Sequence, residues 1–280
     1  MRRRKNDHRR RARNGETAQH MSRHGADAPA HRLRIAVAVL VAASGAVEAL
    51  SFTALDHVFA GVMTSNLAML GMAAGRARGA QVTAALLALG GFAAGTAAGA
   101  RVTRGGEGAQ ERWSAPVLYC LTGEILLLAA GAAVWGASGG MPGGTTRDVL
   151  QCGAAAAMGA QCAAMVAAGR AAAPTTYLTG TLATYIVRGP GSASACSGPW
   201  VPVRLAALVV GAAVAVILHR TAPPWAGLLP AVLVAVAVLT AIAPGYGSRQ
   251  ELLTRPGPLL RSRHAGHHHR GKRERPRGAR

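Results

Sequence analysis

The long apolar stretches of this chain lack regularly spaced polar residues, and that absence fixes its class. A soluble amphipathic helix carries a polar residue at every third or fourth position. The runs at 33–55, 80–100, 114–137 and 224–243 carry no such pattern. A bilayer core of about 30 Å needs roughly 20 apolar residues per helix, and these runs approach or exceed that length. No amphipathic shell exists to cover them in water. The expected fold is an all-α membrane protein, a bundle of six to eight transmembrane helices.

Other absences narrow the function. Cys120, Cys152, Cys162 and Cys196 form no C-x-x-C pair, so neither a zinc site nor a disulfide framework is expected. No glycine-rich stretch ends in Gly-Lys-Ser/Thr, no H-E-x-x-H occurs, and no histidine lies deep in a span. His57 and His219 stand at span ends, and His267, His268 and His269 read as part of a solvated basic tail. The chain is therefore not expected to be an enzyme, and no cofactor or metal is expected. No lysine or arginine lies centrally in a span, so nothing there would anchor a strongly anionic solute.

What the chain does have is charge at its ends. Its formal net charge is +20. Residues 1–32 hold ten Lys/Arg and three acids, and residues 244–280 hold ten and two, so the tails carry 15 of the 20 excess charges. Both are expected to be disordered cytoplasmic arms, by the rule that basic flanks stay inside. Membrane orientation accounts for the charge, so no nucleic-acid partner is expected; the lipid bilayer is, with anionic headgroups at the tails. The N-terminal basic stretch is too long for a secretory leader and lacks a small-residue cleavage site, so the first span is expected to stay as an anchor.

Between the tails, six strong segments (33–55, 80–100, 114–137, 148–169, 202–219, 224–243) alternate with two shorter, Thr-rich ones at 58–75 and 174–188. Asp56-His57 makes the turn before the first short segment, and Arg170 to Pro174 the turn before the second. Thr64-Ser65-Asn66-Leu67 and Thr179-Gly180-Thr181-Leu182 stand 115 residues apart, and the same shift carries 33–55 onto 148–170. Two related halves, about 33–137 and 148–243, follow from this. Interrupted segments at matching places are a mark of many transporter folds. Tails on one side demand an even number of crossings. Six would give three per half, and an odd number per half makes the repeats inverted. If the short pair re-enter, six loop arginines lie inside and four outside; if they span, five and five. Gly91, Gly95 and Gly99, with Gly90 beside them, form a stripe that lets helix backbones approach closely.

Polar residues inside the runs are the candidates for chemistry. Glu48 stands in SGAVEALSF and Glu124 in LTGEILLL. A carboxylate at bilayer depth costs roughly 2.5–3.5 kcal/mol or more, so each should face protein, water or a partner. One reading is a proton carrier or cation ligand; the other is a neutral carboxyl bonded to a neighbouring helix. Thr64 and Asn66 in the first short segment, Thr179 and Thr181 in the second, and Gln161 mid-span supply hydroxyls and amides. A threonine can also satisfy itself on the carbonyl four residues back. Such a set suits an unknown small solute, neutral or cationic.

The stretch GAVEALSF followed by FAGVMTSNLAMLG resembles the N-terminal signature of the YoaK-like proteins, uncharacterised bacterial membrane proteins with "G-x-x-D-A-x-S-[FY]" leading into "F-x-x-N-M-T-G-N". AMGAQCAA followed by TTYLTGTLA resembles their "A-M-G-x-Q-N-A" and "T-T-x-[LV]-T-G-T-L". The likeness covers roughly 33–243. Glu48 stands where the family usually has aspartate, Ser65 replaces a glycine, and Cys162 replaces an asparagine. The resemblance implies a multi-pass inner-membrane protein and brings no substrate. The function expected is secondary transport of that solute. The alternative is a non-transporting scaffold or sensor whose tails bind anionic lipid or a cytoplasmic partner.

Overall fold

The computed structural model describes residues 31–104, 112–169, 178–188 and 200–243. Residues 1–30 of the N-terminal basic tail, the C-terminal tail from residue 244, the expected turn at 170–174, residues Thr175 to Tyr177, Cys196 and the three tail histidines lie outside them. Among the described residues the structure is all-helical, with six helices long and apolar enough to cross a membrane. They are α1 (His31–Ala54), α3 (Gly79–Thr103), α4 (Ala115–Ala137), α5 (Gly144–Ala168), α7 (Trp200–Thr221), and a last span, Pro223–Ile242, made of a short α8 (Pro223–Ala226) running into α9 (Leu228–Ile242). Two helices are too short to cross: α2 (Met63–Gly75) and α6 (Leu178–Arg188). They are the two Thr-rich segments.

Local chemistry sets the ends. Asp56 and His57 both adopt positive φ, 65° and 58°, which stops α1. Pro116 stands in the first turn of α4, where its missing N–H has no helical partner to lose. Past the end of α4, Gly140 has φ 79° and its missing side chain leaves room for Pro223, so the α4 end and the α8 start meet there. Trp135 closes the same corner, its indole N–H donating to the Pro223 carbonyl at 2.8 Å.

Helix directions follow from which residues meet. The ring of His31, first in α1, contacts that of Trp200, first in α7, and further along Gly211 lies against Ala42, so α1 and α7 are parallel. Gly91, Gly95 and Gly99 of α3 lie in turn against Cys152, Ala156 and Ala160 of α5, so these two are parallel as well. α1 and α5 are antiparallel: Ser44 bonds Gln161, while Asp56 past the end of α1 pairs with Arg147 near the start of α5. α4 is antiparallel to α5, with Cys120 against Ala160 and Gly131 against Leu150. Arg32 donates to the Ala243 carbonyl at 2.7 Å, so the last span ends where the first begins.

The consequence is a topology. α1, α4 and α7 point one way; α3, α5 and α9 point the other. Since α1 and α3 are antiparallel, α2 returns to the side that α1 reached; α6 does the same between α5 and α7. Among the described residues, six helices can therefore serve as spans.

The helix crossings of the first and second stretches correspond in inverted order. Gly45 of α1 lies against Leu208 and Ala212 of α7, and Gly159 of α5 lies against Phe92 and Thr96 of α3. Gly211 meets Ala42, and Gly95 meets Ala156. Each pair of contacts is related, within one residue, by the 115-residue offset of the sequence repeat. α1 and α5 correspond yet run in opposite directions. They are also the central pair, with 67% and 61% of their core stretches buried against 22–33% in the other four spans.

Candidate functional site

The polar chemistry gathers where α1 breaks into α2. Residues 55–62 leave the helix, and in a bilayer their peptide groups need partners from the protein, since lipid supplies none. Three side chains provide them. Glu48, on α1, accepts two bonds: Oε2 from the Ala60 N–H at 2.9 Å and Oε1 from the Gly61 N–H at 2.7 Å. Asn66, fully buried on α2, grips the Phe59 peptide on both sides, Oδ1 accepting from its N–H at 2.9 Å and Nδ2 donating to its carbonyl at 2.6 Å. Gln151, on α5, donates Nε2 to the same carbonyl at 3.4 Å. Gly61 must be glycine for this approach: a Cβ there would come within 2.7 Å of Glu48 Oε1 and 3.4 Å of the Met158 Cβ.

The cluster extends along α1. Ser44, Glu48 and Ser51 are spaced four and three apart, which puts them on one helical face. Ser44 turns back onto the Leu40 carbonyl at 3.1 Å and accepts the Gln161 Nε2 at 2.9 Å, joining α1 to α5 one turn below Glu48. Gln161 is fully buried. On the rim, Asp56 and Arg147 form an ion pair that ties the turn after α1 to the start of α5.

Glu124 is elsewhere. It faces inward from α4, is 1% exposed, and neither carboxyl oxygen has a hydrogen-bond partner among the described residues. Its neighbours on the buried face of α4 are Val117, Cys120, Leu121 and Leu128. The antiparallel register of α4 and α5 sets it opposite Ala156–Ala157, beside the level at which Met158 backs Gly61.

Of the candidates read from sequence, the structure therefore brings Glu48 and Asn66 to adjacent peptide groups of the 55–62 break and places Gln161 one turn along. Thr64 and Thr179 are exposed, and Thr181 is partly buried. The inversion sets α2 and α6 on opposite sides of the bundle, so Thr179 and Thr181 start from the far face and do not complete the Glu48 cluster. Sequence reasoning missed Gln151, Ser44 and the Asp56–Arg147 pair. The serine was findable, since Ser44 stands one turn from Glu48. Gln151 was not, because an amide in the first turns of a span looks interfacial. Among the described residues no three His, Cys, Asp or Glu gather as metal ligands.

Residues 36–240 match the family described as "Protein of unknown function (DUF1275)". That match spans nearly the whole stretch over which the sequence resembles the YoaK-like proteins. No curated protein and no solved structure matches the chain.

Proposed function

The chain belongs to the DUF1275 family of proteins of unknown function, and on that premise we propose that it is a YoaK-like secondary transporter of a small neutral or cationic solute, seated in a bacterial plasma membrane with both termini cytoplasmic. The observation that carries the proposal is Glu48 gripping the unwound Ala60–Gly61 peptide inside an inverted repeat. Inverted repeats with interrupted helices are the architecture in which one half rocks against the other. A carboxylate accepting from N–H groups holds them about twice as strongly as a neutral acceptor does. Proton uptake by Glu48 would weaken its hold on both N–H groups and free the start of α2, which links a proton to a movement. Cation binding at its remaining lone pairs would act through the same atoms.

The orientation rests on charge. With six crossings, Arg101, Arg104, Arg112, Arg170, Arg188 and Arg204 fall on the side of the tails, and Arg76, Arg78, Arg147 and Arg220 on the other. The excess agrees with tails that remain inside.

The test is a thermal-shift screen of neutral and cationic solutes on the purified full chain, with Glu48→Gln and Glu48→Asp alongside. A solute at about 100 times its dissociation constant stabilises the folded state by roughly 2.7 kcal/mol. A hit is expected on wild type and Glu48→Asp and not on Glu48→Gln. In proteoliposomes the same solute should then drive a pH change that Glu48→Gln abolishes. Undiminished proton flux in a folded Glu48→Gln would remove this residue from the mechanism.

The scaffold reading has one observation in its favour, the concentration of charge in the tails, each Lys/Arg being worth about 1 kcal/mol at an anionic surface. Trimming both tails separates the two: a transporter keeps its flux, whereas a scaffold loses its membrane partner.

A further inference from the structure

Three residues of α5 meet the break after α1 in a row. Arg147, Gln151 and Met158 are spaced four and seven apart, which puts them on one helical face. Arg147 pairs with Asp56, Gln151 donates to the Phe59 carbonyl at 3.4 Å, and Met158 lies against Gly61, which Glu48 holds. In that order the contacts lead inward from the rim. At 1.5 Å per residue, Gln151 stands about 6 Å inside Arg147, and Met158 roughly 10 Å further.

Burial changes sharply along this row. The side chains of Arg147 and Asp56 are 36% and 29% exposed, so water reaches them. Val58, Ala60, Asn66 and Gln151, just behind, are all buried. Among them lie the Phe59, Ala60 and Gly61 N–H groups, each held by a side chain: the first by Asn66, the other two by Glu48. The ion pair is thus the solvated end of a row whose inner contacts are dry.

Its construction suits it to opening. Asp56 belongs to the first half of the sequence repeat and Arg147 to the second, so the halves cannot part on this face while the pair holds. Arg147 is steadied from its own side, its Nε donating to the Pro142 carbonyl at 3.3 Å. Asp56 sits at φ 65° in the turn that begins the break, so any movement of the break carries its carboxylate away. An exposed pair shifts an equilibrium by at most about fivefold, which lets it break and re-form. The tie on the far side of Glu48, Gln161 to Ser44 at 2.9 Å, is buried and stays joined when the rim opens.

We propose that Asp56 and Arg147 gate the Glu48 site on the face where α1 ends. With the pair closed, water is kept from the Phe59 to Gly61 peptides; with it open, water reaches them and the Glu48 carboxyl they bind. The gate rests on the transport reading and adds to it the route by which a proton or cation enters. Arg147 acts through the pair and is a positioning residue.

The test is hydrogen–deuterium exchange of the purified full chain in detergent, read by mass spectrometry on the peptide covering 57–63. A peptide from the middle of α4 serves as control. The three held N–H groups exchange when the break opens to water. Arg147→Met should speed their exchange by about fivefold. Asp56→Asn, which suits a positive φ, should do the same. Arg147→Lys keeps the charge and loses the Nε bond to Pro142, so it should stay near the wild-type rate. Salt at about 1 M should speed wild type towards Arg147→Met and leave Arg147→Met unchanged. Unchanged exchange at 57–63 in a folded Arg147→Met or Asp56→Asn overturns the gate. Equal acceleration of the α4 peptide also overturns it, since that marks a general loss of stability. Exchange needs no solute, so the two readings fail separately. A solute hit without a change in exchange sinks the gate alone. Faster exchange without proton flux in proteoliposomes sinks transport and leaves the pair as the barrier to water.

Discussion

Glu48 and Glu124 are the same side chain at comparable depth, and their surroundings give them opposite energetic roles. Glu48 supplies two acceptors to peptide groups that have no others, so it stabilises the break in α1. Glu48→Gln replaces one acceptor with a donor and leaves one of the Ala60 and Gly61 N–H groups unpaired. The expected loss is about 1–3 kcal/mol, read as a lower unfolding midpoint in detergent. Glu124 has no such bonds among the described residues, where both its oxygens are unpaired on a buried face with Leu121 and Leu128. Glu124→Leu should therefore stabilise the protein by about 2–3 kcal/mol, the usual penalty for an acid at that depth. A fall in midpoint instead would mean that Glu124 has a partner in the membrane. Both carboxyls were legible in the sequence, because an acid in an apolar run cannot be overlooked. The difference between them was not, because Glu48's partners are backbone N–H groups, which leave no trace in residue identity. Asn66 was legible for the same reason as Glu48, while Gln151 became visible only once α5 was placed against Phe59.

At the scale of elements, the decisive contacts are two crossings without side chains. Gly95 sits against the Ala156 carbonyl in the α3–α5 pair, and Gly211 against the Ala42 carbonyl in the α1–α7 pair. A methyl at either place falls on backbone, which cannot move aside. Gly95→Val and Gly211→Val should each lose about 1–3 kcal/mol or more by overpacking. The losses should add in the double variant, because the crossings are separate. Denaturation by a graded chaotropic detergent measures all three. The Gly91-Gly95-Gly99 spacing announced the first crossing. Gly211 stands without a glycine four residues away, so its crossing carried no such signature and emerged only through the symmetry with α3. The short helices were also legible as segments. Their path was not: thirteen or eleven apolar residues look alike whether they cross or turn back, and only the packing directions of the neighbouring helices speak to it.

For the molecule as a whole, six crossings make a sidedness prediction. In a chain cleared of its four cysteines, His57→Cys before α2 and Arg76→Cys after it should react with an impermeant thiol reagent from the same face; both positions are exposed. Labelling from opposite faces would require α2 to cross. Gly139→Cys should join them, since α4 ends on that face. Composition could not choose between six and eight, because both counts bring the tails to one side and the loop arginines differ by a single residue.

The exchange of partners between the halves also sets an order of assembly. α1 finds its parallel partner only in α7, which begins about 150 residues later, so at typical synthesis rates the first span waits some ten to thirty seconds in the membrane without it. Ser44 waits as well for Gln161. Glu48 does not, because Ala60 and Gly61 follow it by only 12 and 13 residues. The returning segment after α1 thus acts as a built-in escort: it covers the one acidic side chain of the nascent anchor before the rest of the bundle has been made.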